Sequence, residues 1–158
     1  MNKKLEQIID GAEQLELNVA ELYKIFNKLS RKDAYFWWQL YEEEENHAYL
    51  IRKIGELDFL TNKIIEEMLP VKINIIHEAN EKICSYINEY KSNPPSREEA
   101  FNIALEIEES VGEIHYQNFM TKESNDIVTQ TFQRLNNDDK DHFIRLRSYM
   151  NEHGIKIF

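Results

Sequence analysis

The sequence predicts an all-α protein, a bundle of four long helices with a long, partly helical crossover between the second and the third. Apolar residues recur at three- and four-residue spacing along almost the whole chain, which is the period of an amphipathic helix. Only 4 glycines and 3 prolines are present, too few for the many turns of a β-sandwich or barrel. A length of 158 residues is typical of one domain, so residues 1–158 are predicted to share one core.

The first two long helices are predicted to span residue 3 to about residue 54. The apolar stripe of the first helix runs from Ile8 to Leu29 at a period near 3.6. Polar residues then interrupt it, and Ser30 or Asp33 can cap the second helix. This helix is expected to end at about Ile54, because the next residue is a glycine, which is favoured at helix C-termini.

The crossover is predicted to occupy residues 56–95. It contains a short helix over 61–69, which Pro70 ends, and a longer helix over 71–90. The clearest break in the chain follows at 93–95, where two prolines are adjacent. A span of about 30 Å takes about 20 helical residues, so this stretch can return along the bundle.

The third and fourth long helices follow this break. Ser96 and Glu99 have the spacing of a capping box, which predicts that the third helix begins here and continues to about Phe119. A turn is expected over 122–125, and the last helix is expected to run to about Asn151. The two pairs of long helices show a faint self-similarity, because Glu44-x-x-His47 and Asp139-x-x-His142 occur at corresponding places.

Six ionisable side chains fall on or beside the apolar stripes and are predicted to point into the bundle. They are Glu16, Glu44, His47, Glu108, Asp139 and His142. Unpaired buried carboxylates are costly, so they protonate or bind a cation. An acid and a histidine three residues later share one helix face and can reach the same metal ion. Four carboxylates and two imidazoles match a dinuclear site for iron or manganese. The alternative is that the acids are solvated at the stripe edges and the histidines are ordinary half-buried ones.

With these motifs, the sequence resembles the ferritin-like superfamily, and most closely its rubrerythrin-like branch. Tyr23, seven residues after Glu16, and Trp38, ahead of Glu44, add to the resemblance. It implies a ferritin-like bundle that binds two iron ions, with manganese or zinc possible at either position. By this resemblance one metal is bound by Glu16, Glu44 and His47, and the other by Glu108, Asp139 and His142, with Glu44 and Asp139 as the expected bridging carboxylates.

The resemblance implies a redox protein that reduces peroxide or O2, or that oxidises ferrous iron. Asp139 stands where the family usually has glutamate, and Asp138 or Asp141 could replace it as a ligand. Val111 stands where classical rubrerythrins have a further glutamate ligand, and there is no CxxC pair for a rubredoxin-like domain. Peroxidase activity therefore needs an external electron donor. The alternative is a non-catalytic interaction or stress-associated module that has lost the chemistry.

Composition limits the partners and the location. A net charge of −10 and a pI near 5.0 disfavour nucleic acid, and no uncharged run approaches the length of a membrane span. The single cysteine, Cys84, excludes an internal disulfide framework, so the cytoplasm is the expected compartment. The resemblance implies a homodimer. The aromatic run 35–38 is either part of its interface or the crowded start of a helix.

Overall fold

The computed structural model describes residues 3–57, 73–115, 120, 123 and 125–158, and of residues 4, 5 and 111–115 it describes the backbone only. These residues form five helices and no strand, so the all-α prediction is confirmed for the described part of the chain. The helices are α1 (Lys3–Phe26), α2 (Ala34–Gly55), α3 (Ile73–Ser92), α4 (Arg97–His115) and α5 (Ile127–Glu152). None of these helices is apolar over a stretch long enough to cross a membrane.

Helices α1 and α2 form an antiparallel pair. The rings of Phe26 and Trp37 lie 5.1 Å apart near the turn, whereas Gly55 meets Ile9 at the far end. A Cβ at Gly55 would lie 2.8 Å from the Ile9 Cγ2 atom. Helix α2 ends at this glycine as predicted, but the residue keeps a negative φ, so it serves close helix packing rather than a left-handed cap.

Helix α3 returns the chain along α1. Its first turns contact Gly11 through Ile76, and its last turns place Tyr90 6.2 Å from the Phe26 ring. Between them Asn80 accepts a 2.7 Å hydrogen bond from Asn18. Because α3 runs parallel to α1, α2 and α4 begin at the same end of the molecule. The predicted helix over 71–90 is confirmed, and the one over 61–69 lies outside the described residues.

Helices α4 and α5 pack against each other, and both begin with side-chain caps. The predicted capping box is present, since Ser96 N–H donates to Glu99 Oε2 at 2.7 Å and Glu99 N–H donates to Ser96 Oγ at 3.2 Å. At the start of α5, Asp126 Oδ1 accepts from the Thr129 amide at 2.8 Å. Of the expected turn over 122–125, residues 122 and 124 lie outside the described residues.

The buried apolar side chains form two clusters, one at each end of the molecule. The larger cluster surrounds Trp37, and the smaller one includes Ile51 and Phe132. Along α2, Glu44 and His47 fall between Leu40 of the first cluster and Ile51 of the second. The same alternation holds on α1 and α5, so the buried ionisable residues form a polar layer between two apolar ones.

The aromatic run at the start of α2 divides between core and surface. Trp37 is buried and Phe36 stacks on Tyr149, whereas Tyr35 and Trp38 are 74% and 41% exposed. The crowded helix start is thus present. A dimer contact at the two exposed rings stays a prediction.

Candidate metal centre

All six side chains that the sequence predicts to point inward are buried in the polar layer. Their exposed fractions lie between 1% and 6%. They come from four helices, namely Glu16 from α1, Glu44 and His47 from α2, Glu108 from α4, and Asp139 and His142 from α5. The 3.6-residue period brings each of them to the inner face of its helix, and the antiparallel pairs bring them to one height.

Among the described residues, two groups of three side chains have ligand atoms close enough to hold a metal ion. One is Glu16, Glu44 and His47, and the other is Glu44, Asp139 and His142. Within each group the ligand atoms lie within 4.8 Å of one another. Glu44 belongs to both groups, which is the arrangement expected of a carboxylate that bridges two ions.

The two oxygens of Glu44 face different histidines. Oε2 lies 3.1 Å from His47 Nδ1, and Oε1 lies 2.8 Å from His142 Nδ1. The two imidazole rings are nearly parallel, at 14°, with their centroids 5.4 Å apart. Asp139 Oδ1 is 3.7 Å from His47 Nδ1, so this carboxylate also lies between the two groups.

Three buried atoms of this cluster lack a hydrogen-bond partner within the described part of the chain. They are Glu44 Oε1, His142 Nδ1 and Asp139 Oδ2. The first two are close together, but their alignment does not allow a hydrogen bond. Orphaned buried polar atoms are costly in a folded protein. His47 Nδ1, by contrast, is hydrogen-bonded to Glu44 Oε2 at 3.1 Å. The three unpartnered atoms are carboxylate oxygens and an imidazole nitrogen, which are metal-binding atoms, so the donor set suits a metal pair.

The four inner carboxylates have only two titratable imidazoles among them as possible cations. Burial raises the pKa of Glu16 and of Asp139, and neighbouring carboxylates raise both further. Burial also raises the pKa of Glu108. Burial opposes the ionised form of Glu44 as well, but His47 and His142 outweigh it and lower its pKa. Burial opposes the charged form of His47 and of His142, but the neighbouring carboxylates outweigh it and raise the pKa of both, so both imidazoles carry positive charge when no metal is bound. Metal ligation needs neutral imidazoles, and the four ionised carboxylates would then leave four negative charges, which two divalent cations can neutralise.

The outer nitrogens of the two histidines are bound in a crossed arrangement. His142 Nε2 lies 2.8 Å from Glu43 Oε2 of α2, and His47 Nε2 lies 3.5 Å from Asp138 Oδ2 of α5. The residue before each inner acid thus binds the histidine of the opposite helix. Such outer carboxylates fix the imidazole orientation so that Nδ1 of each ring faces the inner carboxylates, with His47 Nδ1 hydrogen-bonded to Glu44 Oε2 at 3.1 Å.

The outer acids are in turn paired with arginines around a surface cavity of about 320 Å³. Glu43 accepts hydrogen bonds from Arg145, and Asp138 lies 3.5 Å from Arg134 Nε. Burial would raise the pKa of Glu43, but His142 and Arg145 outweigh it and hold the pKa at about 2. Asp141 is exposed and pairs with Arg145, so Asp139 alone of the three aspartates points inward.

Sequence reasoning missed the role of Glu43 and treated Asp138 only as a replacement ligand. Glu43 lies in the acidic run 42–45, of which the sequence predicts only Glu44 to point inward. The signal was nevertheless present, since both motifs read acid-acid-x-x-His: Glu43-Glu44-x-x-His47 and Asp138-Asp139-x-x-His142.

Glu108 lies beside the second group and is held by a tyrosine. The Tyr23 hydroxyl donates a buried hydrogen bond to Glu108 Oε1, and Glu108 Oε2 lies 3.4 Å from His142 Nδ1. Burial and the neighbouring Glu108 raise the pKa of Tyr23 well above its usual value, so the phenol keeps its proton. Tyr23 therefore orients this carboxylate toward the cluster. The side chain of Val111 lies outside the described residues.

Comparison with protein-family models, with curated proteins and with solved structures found no match for this chain. The interpretation of the site therefore rests on the geometry and chemistry of its own residues.

Proposed function

We propose that the protein is a ferritin-like dinuclear metal protein that binds two iron ions and either reduces peroxide or O2 or oxidises ferrous iron. The observation that carries this proposal is the position of Glu44, whose two oxygens face two different histidines and which is shared by both potential ligand groups. Its Oε1 atom has no hydrogen-bond partner in the described residues, as expected of an atom that binds a metal.

In this proposal one ion is held by Glu16, Glu44 and His47, and the other by Glu44, Asp139 and His142. Glu108 contributes to the second position, because its Oε2 atom faces the same Nδ1 atom of His142 at 3.4 Å. Aspartate is one methylene shorter than the glutamate usual in the family, but Asp139 is close enough to belong to the group.

The composition of the site favours iron or manganese. Four carboxylates and two imidazoles are hard to borderline ligands, and the site includes no thiolate. Zinc also binds imidazole and carboxylate, so metal analysis must test it. Because protons compete with metal for these carboxylates, we expect the metal affinity to rise with pH.

Iron bound here would supply the electrons that reduce peroxide or O2. The chain's own residues orient the ligands and keep water away from the site. Glu43 and Asp138 hold the outer nitrogens of the histidines, and Tyr23 orients Glu108. The two apolar clusters keep bulk water away from the polar layer. The chain has one cysteine, too few for an iron–sulfur centre, so the electrons come from an external donor.

The path of the chain supports the ferritin-like part of the proposal. Helix α3 returns along α1, and the four helices that supply the inner residues therefore form two antiparallel pairs joined by a long crossover. We further propose a cytoplasmic homodimer, with the exposed rings of Tyr35 and Trp38 in its interface.

The decisive experiment is anaerobic loading with ferrous iron, followed by removal of free metal and by metal analysis. We expect about two ions per chain and a change in the visible spectrum when peroxide is added. A second assay adds an external electron donor: continued peroxide consumption with oxidation of the donor, and with no more ferric iron than the bound pair, would indicate a peroxidase, whereas conversion of excess ferrous iron to ferric iron would indicate a ferroxidase.

A pair of double variants makes this experiment specific. Glu44→Ala/Glu108→Ala removes two inner carboxylates and is expected to abolish metal retention. The control, Glu45→Ala/Glu109→Ala, removes two exposed acids from the same helices and should bind like the wild type. Absence of bound metal in the wild type, or equal retention by both double variants, would overturn the proposal and favour a non-catalytic interaction module.

A further inference from the structure

A column of aromatic rings leads from the candidate metal centre toward the surface. It consists of Tyr23, Trp37, Phe36, Phe101 and Tyr149. The Trp37 ring lies 5.5 Å from Tyr23, 5.7 Å from Phe36 and 4.4 Å from Phe101. Both phenylalanines then contact Tyr149, with centroids 4.2 and 5.5 Å away. Each successive pair is in packing contact.

The two ends of the aromatic column lie in different environments. At the inner end, the fully buried Tyr23 donates a hydrogen bond to Glu108 of the candidate centre. At the outer end, the half-buried Tyr149 lies 4.0 Å from the exposed His153 ring. The column therefore connects the buried polar layer with solvent.

A basic turn borders the outer end, although the whole chain has a net charge of −10. The turn between α1 and α2 exposes Lys28, Arg31 and Lys32, which we call the basic turn. The Tyr149 hydroxyl lies 3.3 Å from the Lys32 carbonyl oxygen, so the turn borders the end of the column. The acid of this turn, Asp33, is buried and paired with Arg97, and it does not offset these charges at the surface.

Packing explains why the rings are buried, but it does not explain the placement of the cations. A protein that is acidic overall attracts an acidic partner only where positive charge is concentrated. Here the concentration lies at the point where the column reaches the surface. Electron tunnelling between buried and exposed sites weakens steeply with gaps in packing, and contiguous rings leave few gaps.

We propose that the basic turn is the docking site for a small acidic protein that carries one electron, and that the aromatic column is the electron path from this partner to the metal centre. This inference rests on the proposed function, for which it supplies the electron donor.

The partner delivers one electron at a time. Each transfer oxidises the carrier protein by one electron and reduces an acceptor at the candidate centre by one electron. Reduction of hydrogen peroxide to two waters takes two electrons and two protons, so two reduced carriers are consumed and solvent supplies the protons. The electron tunnels through the packed rings, which are neither oxidised nor reduced overall.

Docking is tested with the metal-free protein and an oxidised plant-type two-iron ferredoxin as the acidic carrier. Binding measured by calorimetry at low ionic strength should weaken as salt is added. Reversal of two charges in the basic turn, Arg31→Glu/Lys32→Glu, should weaken binding by about tenfold or more.

The matched control is Arg52→Glu/Lys53→Glu, which makes the same change in net charge at the opposite end of α2. Both residues are exposed there, at 64% and 49%. The control should keep nearly the wild-type affinity. No ferredoxin binding, an equal loss in both variants, or binding of a short DNA duplex in place of ferredoxin would overturn the docking site.

The electron path is tested by stopped-flow reduction of the iron-loaded protein with reduced ferredoxin. Phe36→Leu/Phe101→Leu removes both rings between Trp37 and Tyr149 and should slow the transfer severalfold without weakening ferredoxin binding. Phe132→Leu makes the same kind of change in the other apolar cluster and should not slow it. Equal rates in both variants would overturn the aromatic column as a path.

The two proposals fail in different measurements. If the wild type retains no metal but the metal-free chain binds ferredoxin through the basic turn, the proposed redox function fails and the docking site stands. If metal is retained and ferredoxin does not bind, the dinuclear site stands and the docking inference fails.

Discussion

Asp33 and Asp139 are both buried carboxylates, exposed by 1% and 2%, but they differ in what surrounds them. Asp33 accepts two hydrogen bonds of 2.7 Å from Arg97 and one of 2.9 Å from the Tyr149 hydroxyl. Asp139 has an oxygen without a hydrogen-bond partner in the described residues, and its nearest ion pair is with His47 at 3.7 Å.

The difference also appears in the ionisation of the two groups. Burial opposes the charge of Asp33, but the hydrogen bonds from Arg97 and Tyr149 outweigh it and lower the pKa. Burial raises the pKa of Asp139, and the neighbouring Glu108 and Glu44 raise it further. The comparison teaches that burial alone does not indicate a binding site. The Asp33 cluster contains a permanent cation, the Arg97 guanidinium, whereas the four carboxylates around Asp139 have only two titratable imidazoles and are suited to cations from outside.

The largest expected effect is the stabilisation of the inner cluster by metal. At a free metal concentration about 1,000 times the Kd, each site adds about 4 kcal/mol to the free energy of unfolding. For a chain of this size, two such sites would raise the Tm by roughly 20 °C. Calorimetry with and without Mn²⁺ measures the shift. The shift in Tm should vanish in Glu44→Gln and persist in Glu45→Gln. A wild-type Tm that Mn²⁺ leaves unchanged would contradict the claim that the cluster around Asp139 binds a cation from outside.

The next largest effect is the loss of unfolding free energy when the ion pair between Asp33 and Arg97 is broken. Asp33→Asn breaks a buried ion pair and should cost about 3 kcal/mol of unfolding free energy. Because Arg97 supplies the positive charge, the loss should be the same with and without metal. Urea unfolding measures it, with the exposed Asp10→Asn as the control. A loss that metal reverses would contradict the assignment of Asp33 to a purely structural cluster.

The outer acids should affect metal binding more than folding. Glu43→Gln and Asp138→Asn weaken the hold on the outer nitrogens of His142 and His47, and each should lower metal affinity by about 10- to 100-fold. The exposed Glu42→Gln is the control. Titration calorimetry with Mn²⁺ should give an unchanged number of sites. A lost site would instead make that outer acid a direct ligand.

The smallest expected effect is that of Asp139→Asn on the free energy of unfolding, and it does not share the destabilising sign of Asp33→Asn. In the metal-free protein at pH 7, the ionised form of Asp139 is disfavoured, because its pKa is raised in the folded state. Asp139→Asn removes that cost and should leave the stability unchanged or raise it by about 1 kcal/mol. Urea unfolding with a chelator present measures it. A loss as large as that of Asp33→Asn would show that Asp139 is structurally satisfied without metal.

The inner residues could be predicted from the sequence because their positions follow from local periodicity. Glu16 and Glu108 lie on apolar stripes, and the two acid-x-x-His motifs place their side chains on one helix face. The burial of these residues and their closeness in the structure agree with that prediction. Whether they bind metal stays a prediction.

The partners of Asp33 and of the two histidines could not be predicted in the same way. Asp33 precedes α2 and is one of the two caps that the sequence predicts, with Ser30 as the other, but its side chain makes no capping hydrogen bond and pairs with Arg97. That arginine is 64 residues away in the chain. Glu43 likewise binds a histidine of another helix. Rules of spacing describe neighbours within one helix and contain no information about which helix lies opposite.

The sequence by itself determined the helical class, the capping box at Ser96, and which acids and histidines turn inward, because a period of 3.6 residues and local hydrogen bonding decide these features. Only the tertiary structure decided which buried carboxylate receives an arginine and which does not. It also decided that the basic turn meets the end of the aromatic column. These features depend on how the helices pack against one another, since burial and charge pairing arise between segments that are distant in the chain.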